Sequence, residues 1–265
     1  MSSARPAPRE LHALVAVNAR LWAAEAEIFS TYFAAPNRSA ATDEVWLARQ
    51  CFKELIDGVV GRLGQLTAAE TRFERTVKSA DAALTDAGVR IELKHYVAFA
   101  IAHRVSQHEG ACTKVTARIG TDWPENSELQ NMRARQRREF GALGSRAAAF
   151  TEGGYCTLYR AGMTLKGGSV LDDAIASASA QVFDDEWGHM LDGIADLAEV
   201  SLSPREWAVF EELTVAQGRC RLRMRNAQFD HPLTDARLRE LEAGAAEPLI
   251  FDYARAGLLP PSIDV

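Results

Sequence analysis

The chain has 265 residues, 47% of them hydrophobic and 25% charged, which is enough apolar material for one large helical domain over residues 1–265. A formal charge of -6 and an isoelectric point near 5.6 argue against general nucleic-acid binding, which needs a basic face to meet phosphate. Each apolar run is broken by charge well short of the roughly 18 residues that span a bilayer, so a soluble cytoplasmic protein without membrane partners is expected.

Residues 1–8 carry one arginine and no apolar core and read as a disordered tail, not a secretory signal. Beyond them, apolar residues recur at spacings of three and four, and period-two alternation is hard to find, so the chain reads as all-α. The first helix is expected from about Pro8 to Phe33, with Leu11, Leu14, Val15, Trp22, Ile28 and Phe29 on one side, and Pro36-Asn37 stops it. A second begins near Asp43 and buries Val45, Phe52, Leu55, Ile56, Val59 and Val60, leaving Gln50, Lys53, Glu54 and Asp57 as its exposed side. Thr67-Ala68-Ala69-Glu70 has the form of a capping box, and a helix is expected from there to about residue 108, with Gly88 as a kink. A connector over 109–126 leads to a long helix from about Glu128 to Leu165, ended by Lys166-Gly167-Gly168-Ser169. The next spans about 170–200. Ser203-Pro204-Arg205-Glu206 then caps another that runs to about Asn226, and a short helix near 234–243 precedes a proline-rich tail.

Two tetrads stand out on these helices: Glu92-Leu93-Lys94-His95 and Glu186-Trp187-Gly188-His189, in a chain with only six histidines. Residues three apart on a helix face the same way, so each tetrad offers a carboxylate and an imidazole to one ion. At about 100° per residue, Ala178, Val182, Glu186, His189 and Gly193 share a stripe, and His95 shares one with Ile91, Ala98 and Ala102. An ionised carboxylate on an apolar face is costly unless a cation meets it. A single tetrad arises by chance on many solvated helices; two in one chain point to two metal ions.

Two further carboxylates are needed. Glu152, in Phe150-Thr151-Glu152-Gly153-Gly154-Tyr155, is one candidate, because the glycines let a neighbour approach closely. For the other, Glu25 and Glu54 compete. Glu25 sits amid the apolar face of the first helix, where an unpaired charge is costly. Glu54 precedes Glu92 by 38 residues, close to the 34 between Glu152 and Glu186. Tyr155 and Tyr159 follow Glu152 by three and seven, and Tyr155 is a candidate redox-active or hydrogen-bonding phenol. Four cysteines, Cys51, Cys112, Cys156 and Cys220, are too far apart for a zinc site or redox pair and read as buried thiols. The run Arg133-Ala134-Arg135-Gln136-Arg137-Arg138 reads as a solvated helix face, with docking of an anionic carrier as the alternative. Arg219, Arg221, Arg223 and Arg225 alternate by two and cannot form one patch, so some are expected to pair with core carboxylates.

These residues resemble the ligand set of the ferritin-like di-iron carboxylate superfamily, in which two helices each give a Glu and two others each give Glu-x-x-His. The resemblance implies a ferritin-like four-helix bundle core over 10–200 with additional N- and C-terminal helices, the latter over 201–265. It also implies two iron ions held by Glu92, His95, Glu152, Glu186 and His189 with Glu25 or Glu54. The stretch Val89–His95 is similar also to helical di-iron oxidases on a haem-oxygenase-like scaffold, but those carry another histidine before the last one, and here none precedes His189 on its helix. Carboxylate-rich ligation with few histidines suits iron, or a manganese–iron pair, better than zinc. The function implied is a dinuclear oxygenase or oxidase that uses O2 and an external electron donor to hydroxylate, N-oxygenate or desaturate a small organic substrate, as a monomer or homodimer. An iron-oxidising or iron-buffering protein and a metal-free helical scaffold are the alternatives.

Overall fold

A computed structural model describes residues 9–61, 86–109 and 122–248, and every regular element among them is helical. In chain order these are α1 (Arg9–Ala34), α2 (Ala40–Phe52) continuing as a π-helical stretch (Lys53–Val60), α3 (Ala87–Glu109), α4 (Pro124–Phe140), α5 (Ala142–Phe150), α6 (Gly153–Met163), α7 (Val170–Glu199), α8 (Pro204–Gln228) and α9 (Asp235–Glu242). The expected capping box at Thr67–Glu70, most of the 109–126 connector, Cys112 and the proline-rich end lie outside the described residues. None of the described helices is long and apolar enough to cross a membrane.

The helices gather into two compact units. The first contains α1, α4, α5, α6 as far as Gly162, α7 from Phe183, α8 and α9. Its core is Leu11, Leu14, Val15 and Trp22 of α1 with Phe150, Met190, Ile194, Leu197, Phe210 and Leu213. The three-four spacing read from the sequence is what turns these side chains inward, and each large one stabilises the fold by about 1.5–3 kcal/mol. Buried Asn18 donates to the Leu14 carbonyl and the Thr214 hydroxyl, tying α1 to α8 without leaving its amide hydrogens dry. Residue 200 is therefore not a packing boundary, because α8 lies in the same core as α1.

The second unit contains α2, the π-helical stretch, α3 and α7 as far as Val182. Ser39 caps α2 in a box with Thr42. Arg38 ties the start of α2 to that of α7, donating to Asp43 at 3.1 Å and to Asp172 at 2.6 Å. Trp46 packs edge-on against Phe99, and its indole donates to Asp43.

The long helix expected over 128–165 is instead three. Gly141, at φ 55°, breaks the first junction, and Gly144 lets α5 approach the backbone of α4 at Gln136 more closely than any side chain allows. The second break is the turn at Thr151-Glu152. The second helix also departs from its expected faces: Gln50, Lys53 and Glu54 are buried, whereas Val45 and Val60 are about half exposed. From Lys53 on, the π-helical stretch departs from the 100° step that the projection assumes, and Glu54 comes to lie beside His95 of α3; Gln50 and Val45 precede that stretch, and their burial and exposure are set by the packing of α2 itself.

Candidate metal centres

Each unit holds one cluster of two glutamates and a histidine whose ligand atoms lie within 4.8 Å of one another: Glu54, Glu92 and His95 in the second unit, and Glu152, Glu186 and His189 in the first. The i,i+3 geometry of α3 and α7 sets the two Glu-x-x-His pairs. The third carboxylate comes from a separate element each time, the π-helical stretch for Glu54 and the α5–α6 turn for Glu152.

The two clusters share one internal geometry. His95 Nδ1 lies 3.8 Å from Glu54 Oε2 and 3.9 Å from Glu92 Oε2, and His189 Nδ1 lies 3.9 Å from Glu152 Oε2 and 3.8 Å from Glu186 Oε2. These separations are too long for hydrogen bonds between the pairs and somewhat wider than the roughly 3.0–3.4 Å between neighbouring ligands about 2.0–2.2 Å from one ion, so a cation fits among them with a small inward movement of the side chains. The donor set fits a hard or borderline divalent cation such as iron or manganese. Space fits as well. A Cβ on Gly58 would lie 2.6 Å from Glu92 Oε2, so the missing side chain at 58 is what gives the Glu92 carboxylate its place. In the other cluster, burial and the charge of Glu186 push the Glu152 carboxyl up to about 7 against the opposing effect of His189, Arg133 and Arg221. A cation between Glu152 and Glu186 relieves that repulsion.

Exposure distinguishes them. The His95 and Glu54 side chains are 0% and 5% exposed, whereas those of His189 and Glu152 are 38% and 31% exposed. The Glu152 turn is anchored from below: Arg133 donates to the Thr151 hydroxyl and the Gln217 carbonyl, and Gln217 donates to Gln136. Arg133 is thus turned toward the core of its unit and does not belong to a solvated basic face. A buried thiol stands near each cluster. Burial, and then the charge of Glu54, push Cys51 up to about 12; burial, and then Glu186 and Glu152, raise Cys156 in the same way.

Glu25 is a core carboxylate with different partners. Arg221 donates to it through Nε at 2.7 Å and through a terminal nitrogen at 2.9 Å, and Arg225 through Nε at 3.2 Å. Burial by itself would raise this carboxyl, but the two guanidinium charges and their hydrogen bonds outweigh it and hold Glu25 below the usual carboxylate range. The burial that made Glu25 a ligand candidate is therefore explained by an ion pair within the first unit, and Glu54 joins Glu92 and His95. Tyr155 belongs to the same set as Glu25, with its ring 4.1 Å from the Arg221 guanidinium carbon and 5.1 Å from that of Arg225. The expected close approach at Gly153-Gly154 is made by α1: a Cβ on Gly153 would lie 2.6 Å from the Trp22 ring, and one on Gly154 would run into the Glu25 carboxylate.

Sequence reasoning missed the surroundings of Glu54. The Gln50 amide donates to Glu54 Oε1, and the Lys53 ammonium lies 3.9 Å from the same oxygen. The i,i+4 spacing of Gln50 and Glu54 was a usable signal, masked by the assignment of both to a solvent face. No protein-family model, curated protein or solved structure matches the chain.

Proposed function

We propose that the chain is a dinuclear non-haem iron oxygenase or oxidase of ferritin-like di-iron type, acting with O2 and an external electron donor on a small organic substrate. The observation that carries the reading is the repeated set of two glutamates around one histidine, with all four N···O separations at 3.8–3.9 Å. Chance gives isolated Glu–His neighbours on helices; it does not readily give the same three-residue set twice, with the third carboxylate from another element each time. Glu54, Glu92 and His95 would hold one ion and Glu152, Glu186 and His189 the other. A pair of iron ions supplies the redox change that oxygen chemistry needs.

The chain's own residues divide the remaining work. Around His95, burial keeps bulk water from His95 and Glu54, which strengthens the contact between them, while Glu92 stays partly exposed. Around His189, the partly exposed imidazole and Glu152 carboxylate leave one side open to an exogenous molecule, so that cluster is the better candidate for the side at which oxygen or substrate arrives. Tyr155, set against Arg221 and Arg225, serves the Glu25 ion pair and is not assigned a redox role.

The test is oxygen uptake by protein reconstituted anaerobically with ferrous iron, with Mössbauer spectra taken before and after air. Spin-coupled diferric iron formed with uptake of oxygen supports the reading. Two uncoupled mononuclear ferric signals without catalytic turnover would replace it with independent iron-binding sites, and a very large oligomer that accumulates iron would favour storage.

A further inference from the structure

The two oxygens of Glu54 have different surroundings. Oε2 lies 3.8 Å from His95 Nδ1, on the side of the cluster where the ligand atoms converge. Oε1 accepts the hydrogen bond from Gln50 one turn earlier and lies 3.9 Å from Lys53 Nζ. Gln50 and Lys53 are 1% and 6% exposed. Lysine is among the residues least often buried, because an ammonium loses much of its hydration energy there unless an anion stands close by. The cations near the other cluster are differently engaged: Arg133 is hydrogen-bonded to Thr151 and Gln217, and Arg221 to Glu25.

We propose, resting on the metal-binding reading above, that Gln50 and Lys53 are positioning residues for the ion held by Glu54, Glu92 and His95. They keep Glu54 Oε1 engaged, so Glu54 meets the ion through Oε2 alone. The fixed positive charge of Lys53 also lowers the affinity of this cluster for a dication, which makes the two metal positions inequivalent. The π-helical stretch matters here because it brings consecutive residues, Lys53 and Glu54, to the same buried side.

The experiment is a cobalt(II) titration of the full chain in a His189→Ala background, which leaves only the Glu54 cluster complete, followed by visible absorption and competition with a chelator. Lys53→Met should bind cobalt on the order of tenfold more tightly than the parent, and Lys53→Arg should return to the parent affinity. Gln50→Met should lower the visible absorptivity, as the second oxygen of Glu54 joins the ion and the coordination number rises. If the parent binds cobalt, loses it on Glu54→Ala, and matches all three variants in affinity and spectrum, the positioning role is wrong while the metal reading stands. If the parent binds no cobalt, the metal reading fails and this inference with it.

Discussion

Replacing Glu25 with alanine separates the two uses to which a buried carboxylate on α1 can be put. Arg221 and Arg225 are both 0% exposed, and Glu25 receives three charge-assisted hydrogen bonds from them at 2.7, 2.9 and 3.2 Å. Removing one partner of a buried pair costs about 3–5 kcal/mol, because the other charge stays in the core without its counterion. Two guanidinium groups are stranded here, and each lost bond is of the charged kind worth about 1.5–3 kcal/mol, so the upper part of that range is expected. In urea unfolding of metal-free protein, with a slope of about 3 kcal/mol/M, a loss of about 4–5 kcal/mol lowers the midpoint by about 1.3–1.7 M. Metal content should be unchanged under conditions where the variant is folded. A loss below about 1 kcal/mol would refute the ion-pair assignment. So would a variant as stable as wild type in the metal-free state that had lost an ion, since that is how a ligand behaves.

The same pair predicts the response to acid. The folded-state pKa of Glu25 lies below its ordinary value of 4.5, so its contribution is complete above that value and is lost as pH falls through the folded-state value. Wild type should therefore lose stability below about pH 4 more steeply than Glu25→Gln, which has no charge to lose at this position. Gly58→Ala should displace Glu92, whose Oε2 would lie 2.6 Å from the new Cβ. Because that carboxylate ends a flexible, partly exposed side chain, the metal-free protein should lose less than about 1 kcal/mol, while affinity at the Glu54 cluster falls about tenfold or more; isothermal titration and thermal melting read the two effects separately. Ser203→Ala removes the hydroxyl that accepts from the Glu206 amide at the start of α8, and a loss of about 1 kcal/mol is expected in chemical denaturation, with metal binding untouched.

Features local to one helix were legible in the sequence. Glu92 with His95 and Glu186 with His189 need only the helical repeat, and the Ser203 cap needs only its own first turn. Glu152 could be picked out because the adjacent glycines signalled close approach, although the close neighbour turned out to be α1. What escaped was set by partners far along the chain. In sequence Glu25 reads as buried and Glu54 as exposed; both are buried, and what separates their roles is Arg221 and Arg225, 196 and 200 residues beyond Glu25. Those two arginines are four apart and share a face of α8, a pairing obscured by the alternation with Arg219 and Arg223. The breaks at Gly141 and Thr151-Glu152 escaped for a related reason: a glycine within a helical pattern is tolerated or terminal according to what packs against it. The π-helical stretch alters the angular step that the projection of faces assumes, so buried Lys53 and Glu54 read as solvent-facing; Gln50, on α2 before that stretch, is buried by tertiary packing that the projection does not contain.

The most direct measurement is the metal content and Mössbauer spectrum of protein loaded with enriched ferrous iron, for wild type, His95→Ala and His189→Ala. Wild type should hold about two ions per chain that become antiferromagnetically coupled on oxidation, and each variant should hold about one, uncoupled. Well-folded wild type that binds no iron under these conditions, or iron that survives both substitutions unchanged, would contradict the assignment of the two glutamate–histidine clusters as the metal centre.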